Sequence, residues 1–205
     1  MLELFISALI TFFVVIDPPG CAPIYAGLTA GASGVQRRSM AIRAVLTATA
    51  ILLVFALFGR GLLHALGISL DSFRIAGGIM LFLIALEMVF EKRTQRREDR
   101  AAAVALEEVE DVSIFPMAMP MIAGPGSIAS VMLLMSGSNG LNQSLVVFAA
   151  LGSVLLITLA ALIAAGPLMR LMGHKMEAVI TRLLGVLLAA LAVQFVIDGV
   201  VEQLR

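Results

Sequence analysis

"IDPPGCAPIYAGLTAG", residues 16–31, lies inside an apolar run that extends from about 3 to 29. Asp17 stands near the centre of that run, where a lone carboxylate costs about 3 kcal/mol on insertion scales. Pro18 and Pro19 each lack an N–H donor, and their rings clash with carbonyls one turn earlier, near Val14 and Val15. Gly20 follows and lets the backbone take conformations that other residues resist. The stretch therefore predicts a helix that stops and restarts, with free N–H groups and a partial positive end near Cys21 and Ala22.

A partner lies further along the chain. A shift of 106 places "IAGPGSIASVMLLMSG", residues 122–137, on the first stretch, with Pro125 on Pro19, Gly126 on Gly20 and Gly137 on Gly31. The same shift brings "LLHALG", residues 62–67, onto "LMRLMG", residues 168–173, and a shift of 108 brings "FRIAGGIMLFLIAL", residues 73–86, onto "TRLLGVLLAALAVQ", residues 181–194. Apolar helices resemble one another by chance, so the paired Pro-Gly breaks carry more weight than the letters around them.

The chain of 205 residues is 60% hydrophobic and 14% charged, with a mean hydropathy of +1.05, a composition foreign to soluble domains. Six stretches of about 20 apolar residues, the length that crosses a bilayer, fall at about 3–29, 40–63, 73–90, 112–136, 144–169 and 179–200. The first lacks the basic leader and cleavage site of a signal peptide and is read as part of the fold. Eleven of the 14 Lys and Arg residues fall on one side of this plan, which puts the loops after spans 1, 3 and 5 in the cytoplasm and both termini outside. "EKRTQRREDR", residues 91–100, is followed by the acidic "LEEVED", residues 106–111, without interleaved aromatics. It reads as a solvated loop that sets topology and gives no support for nucleic-acid binding.

Three spans per half force the second half to enter the membrane from the opposite side. The expected fold is an all-α membrane domain over 1–205, built of two inverted-topology three-helix repeats, about 1–91 and 112–205, joined by a cytoplasmic linker at about 92–111. Helices 1 and 4 are interrupted near mid-membrane, where irregular backbone is tolerated only when buried in protein or lining a wet cavity. The two restarted half-helices would converge there, each offering an N-terminus to a carboxylate. Asp17 has three readings: a partner for a substrate ammonium, a carrier of a proton or partner of a cation, or a cap for the second half-helix. With the small residues Gly20, Ala22, Ala123, Gly124, Gly126, Ser127 and Ala129 around it, the pattern describes a pocket for a small zwitterion.

Other polar residues receive plainer readings. Gln194 and Asp198 share a face of the last helix, with Gln194 the deeper and the better candidate for bonding inside the bundle, and Ser130 is a further candidate near the second break. Asp198 and Glu87 are read as structural, near the two membrane surfaces. Arg74 and Arg182 snorkel or close contacts between repeats. His64 and His174 lack partners at ligand spacing, "PMAMPM" reads as adaptable packing material, and the lone Cys21 excludes an intrachain disulfide. No cofactor is called for, and no nucleophile and base stand at useful spacing, so the chain is not read as an enzyme.

Together "DPPGCAPIY", "FPMAMPMIAGPGSIAS" and "TRLLGVLLAALAVQFVIDGV" resemble the MarC family of inner-membrane proteins, which includes the SnatA neutral amino acid transporters, over essentially the whole chain. The resemblance implies proton-coupled movement of small neutral amino acids such as glycine and alanine through the cell membrane, and leaves room for a homo-oligomer. It implies a substrate site at Asp17, Pro18, Pro19, Gly20 and Pro23 in the first half and Gly124, Pro125 and Gly126 in the second, with Cys21 and Ser127 at the same half-helix starts. Cys21 stands where many members of the family carry asparagine, and Tyr25 where they carry phenylalanine.

Overall fold

The computed structural model describes the backbone of residues 1–106 and 111–204. The side chains of 100, 101, 103–106, 169–175 and 177 are outside the description, and so are the repeat match at residues 168–173 and the reading of His174. Helices account for most of the described residues: α1 (Leu2–Ile16), α2 (Pro18–Leu28), α3 (Gly34–Ala65), α4 (Leu70–Val89), α5 (Lys92–Leu106), α6 (Pro125–Ser136), α7 (Leu141–Ile163) and α8 (Ala165–Gln203).

Local chemistry sets the boundaries. Ser33 opens α3 with a capping box, its Oγ accepting from the Gln36 N–H at 3.3 Å while its own N–H donates to Gln36 Oε1 at 2.9 Å. Ser69 caps α4 by accepting from the Ser72 N–H at 3.1 Å. Arg37 closes α2 by donating to the Thr29 carbonyl at 2.8 Å and the Ala30 carbonyl at 2.9 Å. The Tyr25 hydroxyl donates to the Arg37 carbonyl, tying α2 to α3.

Among the described residues, five helical stretches, with α1 and α2 taken together over Leu2–Leu28, or six when one further bent pair is counted as a single span, are long and apolar enough to cross a membrane. That pair joins Ser113–Ile122 to α6 at an angle of 53°. The Ser113–Ile122 segment is a wide, π-type coil rather than the α-helix expected from 112 onward, with extended backbone at Phe115 and Met119. Pro116 and Pro120, each just after one of those residues, remove N–H donors and bias the preceding residue away from helical geometry. The fifth and sixth spans also meet differently from the expectation: α7 ends at Ile163, and α8 runs through the segment read as a loop.

Two apolar clusters fill the interior. One gathers Phe12, Ile16, Leu52, Ile122 and Leu151 from α1, α3, α7 and the π-type segment; the other joins Val14, Val15, Leu133 and Leu188 around α4 and α8. The α4–α8 contact is close because of its glycines. A Cβ on Gly78 would stand 2.8 Å from the Ala192 carbonyl, and one on Gly185 would stand 3.1 Å from the Ala85 carbonyl, so each helix offers a glycine to the other's backbone. Outward lie Leu46, Leu57 and Phe58 of α3, Leu156 of α7, and Leu183 and Val186 of α8, all more than half exposed, an apolar surface that suits lipid.

Candidate functional site

Asp17 closes α1 and opens α2. Its backbone is left-handed, at φ 60° and ψ 65°, and its N–H donates to the Phe13 carbonyl at 2.9 Å. Its Oδ1 accepts from the Gly20 N–H at 3.1 Å, an N-cap bond, and Pro18 and Pro19 occupy the first helical positions, where a missing N–H has no intrahelical partner to lose. A Cβ on Gly20 would stand 2.2 Å from Asp17 Oδ2, so glycine alone leaves room for the carboxylate.

The other carboxylate oxygen is engaged from 80 residues away: Arg97 Nη1 donates to Asp17 Oδ2 at 3.0 Å, with side-chain exposures of 9% and 2%. Arg97 Nη2 also reaches the Ile16 carbonyl at 3.5 Å, and Arg93 Nη2 donates to the Val15 carbonyl at 2.6 Å. The Val15 carbonyl, whose helical partner would be the missing N–H of Pro19, is thus met by a guanidinium, as is the Ile16 carbonyl beside it. Both arginines belong to α5, so "EKRTQRREDR" is not the solvated loop that its charge balance suggests. Glu91, left-handed at φ 60°, turns the chain out of α4, and the spacing of Arg93, Arg96 and Arg97 then sets all three on one face of the new helix. Arg96 donates to Glu87 of α4, and Arg182 of α8 pairs with Glu91 at 2.6 Å, a contact between the two halves of the chain.

The second break is built differently. Gly124 is the N-cap of α6 and supplies no side-chain cap; a Cβ there would stand 2.3 Å from the Pro120 carbonyl oxygen. The Ile128 N–H donates to the Gly124 carbonyl at 3.0 Å, while the N–H groups of Gly126 and Ser127 make no hydrogen bond among the described residues. The Ser127 hydroxyl donates to the Ile122 carbonyl at 2.7 Å and the Ser130 hydroxyl to the Gly126 carbonyl at 2.8 Å, both buried.

A cavity of about 350 Å³ opens beside this second start. Gly124, Pro125, Gly126 and Ser127 form one wall, and Glu87, Arg93, Arg96 and Arg97 line another. Of the expected first-half residues, Asp17, Pro18, Pro19, Gly20, Cys21 and Pro23, none lines it; Asp17 meets it through Arg97. Burial pushes the Arg93 guanidinium down to about 9, with Arg97 acting in the same sense and Asp17 opposing, so it remains charged at neutral pH. Gln194 is exposed on α8, and its amide donates to Asp198 Oδ1 at 2.7 Å on the same helix instead of reaching into the bundle.

The sequence comparisons agree with this architecture. The model of the MarC family, described as an integral membrane protein, matches residues 2–204. The chain belongs to the MarC family. Among its relatives are UPF0056 membrane proteins of Methanocaldococcus jannaschii, 37% identical over 97% of both chains, and of Archaeoglobus fulgidus, 33% identical over 99% of this chain and 95% of that one. The UPF0056 membrane protein YhcE of Escherichia coli is 29% identical over 93% of this chain and 89% of its own. No solved structure matches. This MarC-family chain is an integral membrane protein.

Proposed function

We propose that the chain is a secondary transporter of small neutral amino acids of glycine or alanine size, coupled to protons and working by alternating access in the inner cell membrane. The observation that carries this reading is the buried Arg97–Asp17 pair at the division between α1 and α2, adjoining a cavity of about 350 Å³. Charges inside a membrane protein are costly and mark pathways and relays. This pair, moreover, joins the connector between the two halves to the interruption of the first helix. Protonation of Asp17, or withdrawal of Arg97, would loosen α5 from α1 and change access to the cavity.

In this reading the halves, about 1–91 and 112–205, are inverted-topology repeats with their divided helices near mid-membrane, the connector faces the cytoplasm, and both termini face outward. The 108-residue shift superposes α4 on α8 with Gly77 on Gly185, and the close packing of these two helices on each other supports the repeat. A non-transporting scaffold, in which Asp17 serves only as a cap, is the second reading, favoured by the Gly20 bond alone.

Counterflow of labelled glycine, alanine and serine into proteoliposomes, with and without a pH gradient, separates the two. Saturable flux that responds to the gradient and falls at least tenfold in Asp17→Asn is expected. No substrate-dependent flux across a broad amino acid panel would end the transporter reading, and wild-type flux in Asp17→Asn would reduce Asp17 to a cap.

A further inference from the structure

The cavity beside α6 holds more positive than negative charge. Three of its lining residues are arginines, and two of these are matched: Arg97 by Asp17 at 3.0 Å and Arg96 by Glu87. Arg93 has no carboxylate within ion-pair distance among the described residues. Its bonds go to the neutral Val15 carbonyl at 2.6 Å and to Met88 Sδ at 3.0 Å. A guanidinium carries five N–H donors, so these two bonds leave others unspent. A partly buried cation with no carboxylate at ion-pair distance is costly in a membrane protein, and a negative group beside it lowers that cost.

The facing wall has the same bias. Gly126 and Ser127 present N–H groups without hydrogen bonds among the described residues, at the start of a helix of 12 residues whose cap carries no side chain. The Ser127 hydroxyl is already committed to Ile122. Met80, Leu83 and Ile84 complete the cavity with apolar surface.

We propose that this cavity is a binding site for small carboxylates, with the ligand's carboxylate held between the Arg93 guanidinium and the N–H groups of Gly126 and Ser127. The first half supplies the precedent: the Asp17 carboxylate lies between the Arg97 guanidinium and the Gly20 N–H. The acids that would hold an ammonium are both engaged, Asp17 by Arg97 and Glu87 by Arg96. The ligand is therefore recognised by its carboxylate and a short apolar tail, and an amino group is not required. This rests on reading the cavity as the substrate site of the proposed transporter, and it widens the substrate class to short monocarboxylates.

The test uses the full chain in nanodiscs at constant ionic strength and neutral pH, with alanine, propionate and propylamine as probes. Calorimetric titration is expected to show alanine and propionate binding within tenfold of each other, and no binding of propylamine. Arg93→Gln is expected to weaken both at least tenfold, Arg93→Lys to retain part of the affinity, and the remote Arg60→Gln to change nothing. Alanine binding that propionate does not displace, or unchanged affinities in folded Arg93→Gln, would overturn the proposal, as would failure of the wild type to bind either carboxylate. Counterflow with the same protein reconstituted into proteoliposomes separates the two readings. Propionate binding without amino acid flux removes the transporter and keeps the site, whereas alanine flux that propionate does not inhibit removes the site and keeps the transporter.

Discussion

The starts of α2 and α6 resemble each other in sequence and differ in how they are finished. At α2 an aspartate bonds the Gly20 N–H with one oxygen and Arg97 with the other, leaving the carboxylate almost fully buried. At α6 the equivalent cap is Gly124, whose missing side chain is dictated by the Pro120 carbonyl. Two N–H groups, of cavity-lining Gly126 and Ser127, consequently make no hydrogen bond among the described residues. One break is sealed by the chain's own carboxylate, and the other is left for a carboxylate from outside. The two breaks share a Pro-Gly pair, and their caps divide them into a structural one and a receptive one.

The largest effect should come from opening the sealed side. Arg97→Ala strands a buried carboxylate and is expected to cost about 3–5 kcal/mol in detergent-solubilised thermal unfolding. The double change Asp17→Asn with Arg97→Gln should recover much of that loss; a single change costing under about 1 kcal/mol would mean that the pair seals nothing. Next, Gly124→Ala drives a methyl group against a backbone carbonyl, with an expected loss of about 1–3 kcal/mol. Gly20→Ala pushes a methyl group against Asp17 Oδ2, the oxygen that Arg97 holds, so the side chain gives up its cap bond and part of its ion pair, with an expected loss of about 1–3 kcal/mol. It should also render the buried Cys21 reactive to maleimide, and equal protection of Cys21 in this variant and the wild type would contradict a sealed break.

On the receptive side, Ser127→Ala removes the bond to the Ile122 carbonyl and should cost about 0.5–1.5 kcal/mol while leaving carboxylate affinity within threefold, because the hydroxyl is not what faces the ligand. The smallest effect lies outside the membrane. Partial burial disfavours ionisation of Asp111, but the Ser113 bonds and Arg43, at 2.9 Å, outweigh it and hold its carboxyl below the ordinary range. Its stabilising contribution is therefore present above the unfolded value of about 4 and is lost as pH falls through the lower folded value. The melting-temperature gap between wild type and Asp111→Asn should be small at pH 7, under about 1 kcal/mol in free energy, and should close below pH 4.

Much of this arrangement is legible in the residues. Apolar run length marks the spans, and the Pro-Gly pairs mark the two breaks, but the helices restart at Pro18 and Pro125, before the expected Cys21 and Ser127, because proline fits the first helical turn. The α5 arginines were obscured because net charge averages over a segment, whereas burial depends on which face a residue occupies. Their spacing, 93, 96 and 97, was the available signal, since it defines one side of a helix only if the segment is helical. Gln194 illustrates the converse: distance along a helix indicates depth but not the direction a side chain faces, and in α8 it faces outward. The π-type coil was written in Pro116 and Pro120, four residues apart, which together leave no uninterrupted α-helical turn between them.

The 80 residues between Asp17 and Arg97 also impose an order on synthesis. At about 5–20 residues per second, roughly 4–16 s pass between the emergence of the acid and that of its counter-ion. Throughout that interval the nascent first helix carries an acid without its counter-ion, kept neutral by protonation or met by water or by the insertion machinery. The base that answers it arrives only after three hydrophobic segments have been delivered, so the connector between the halves serves as the closing step of the first half's assembly.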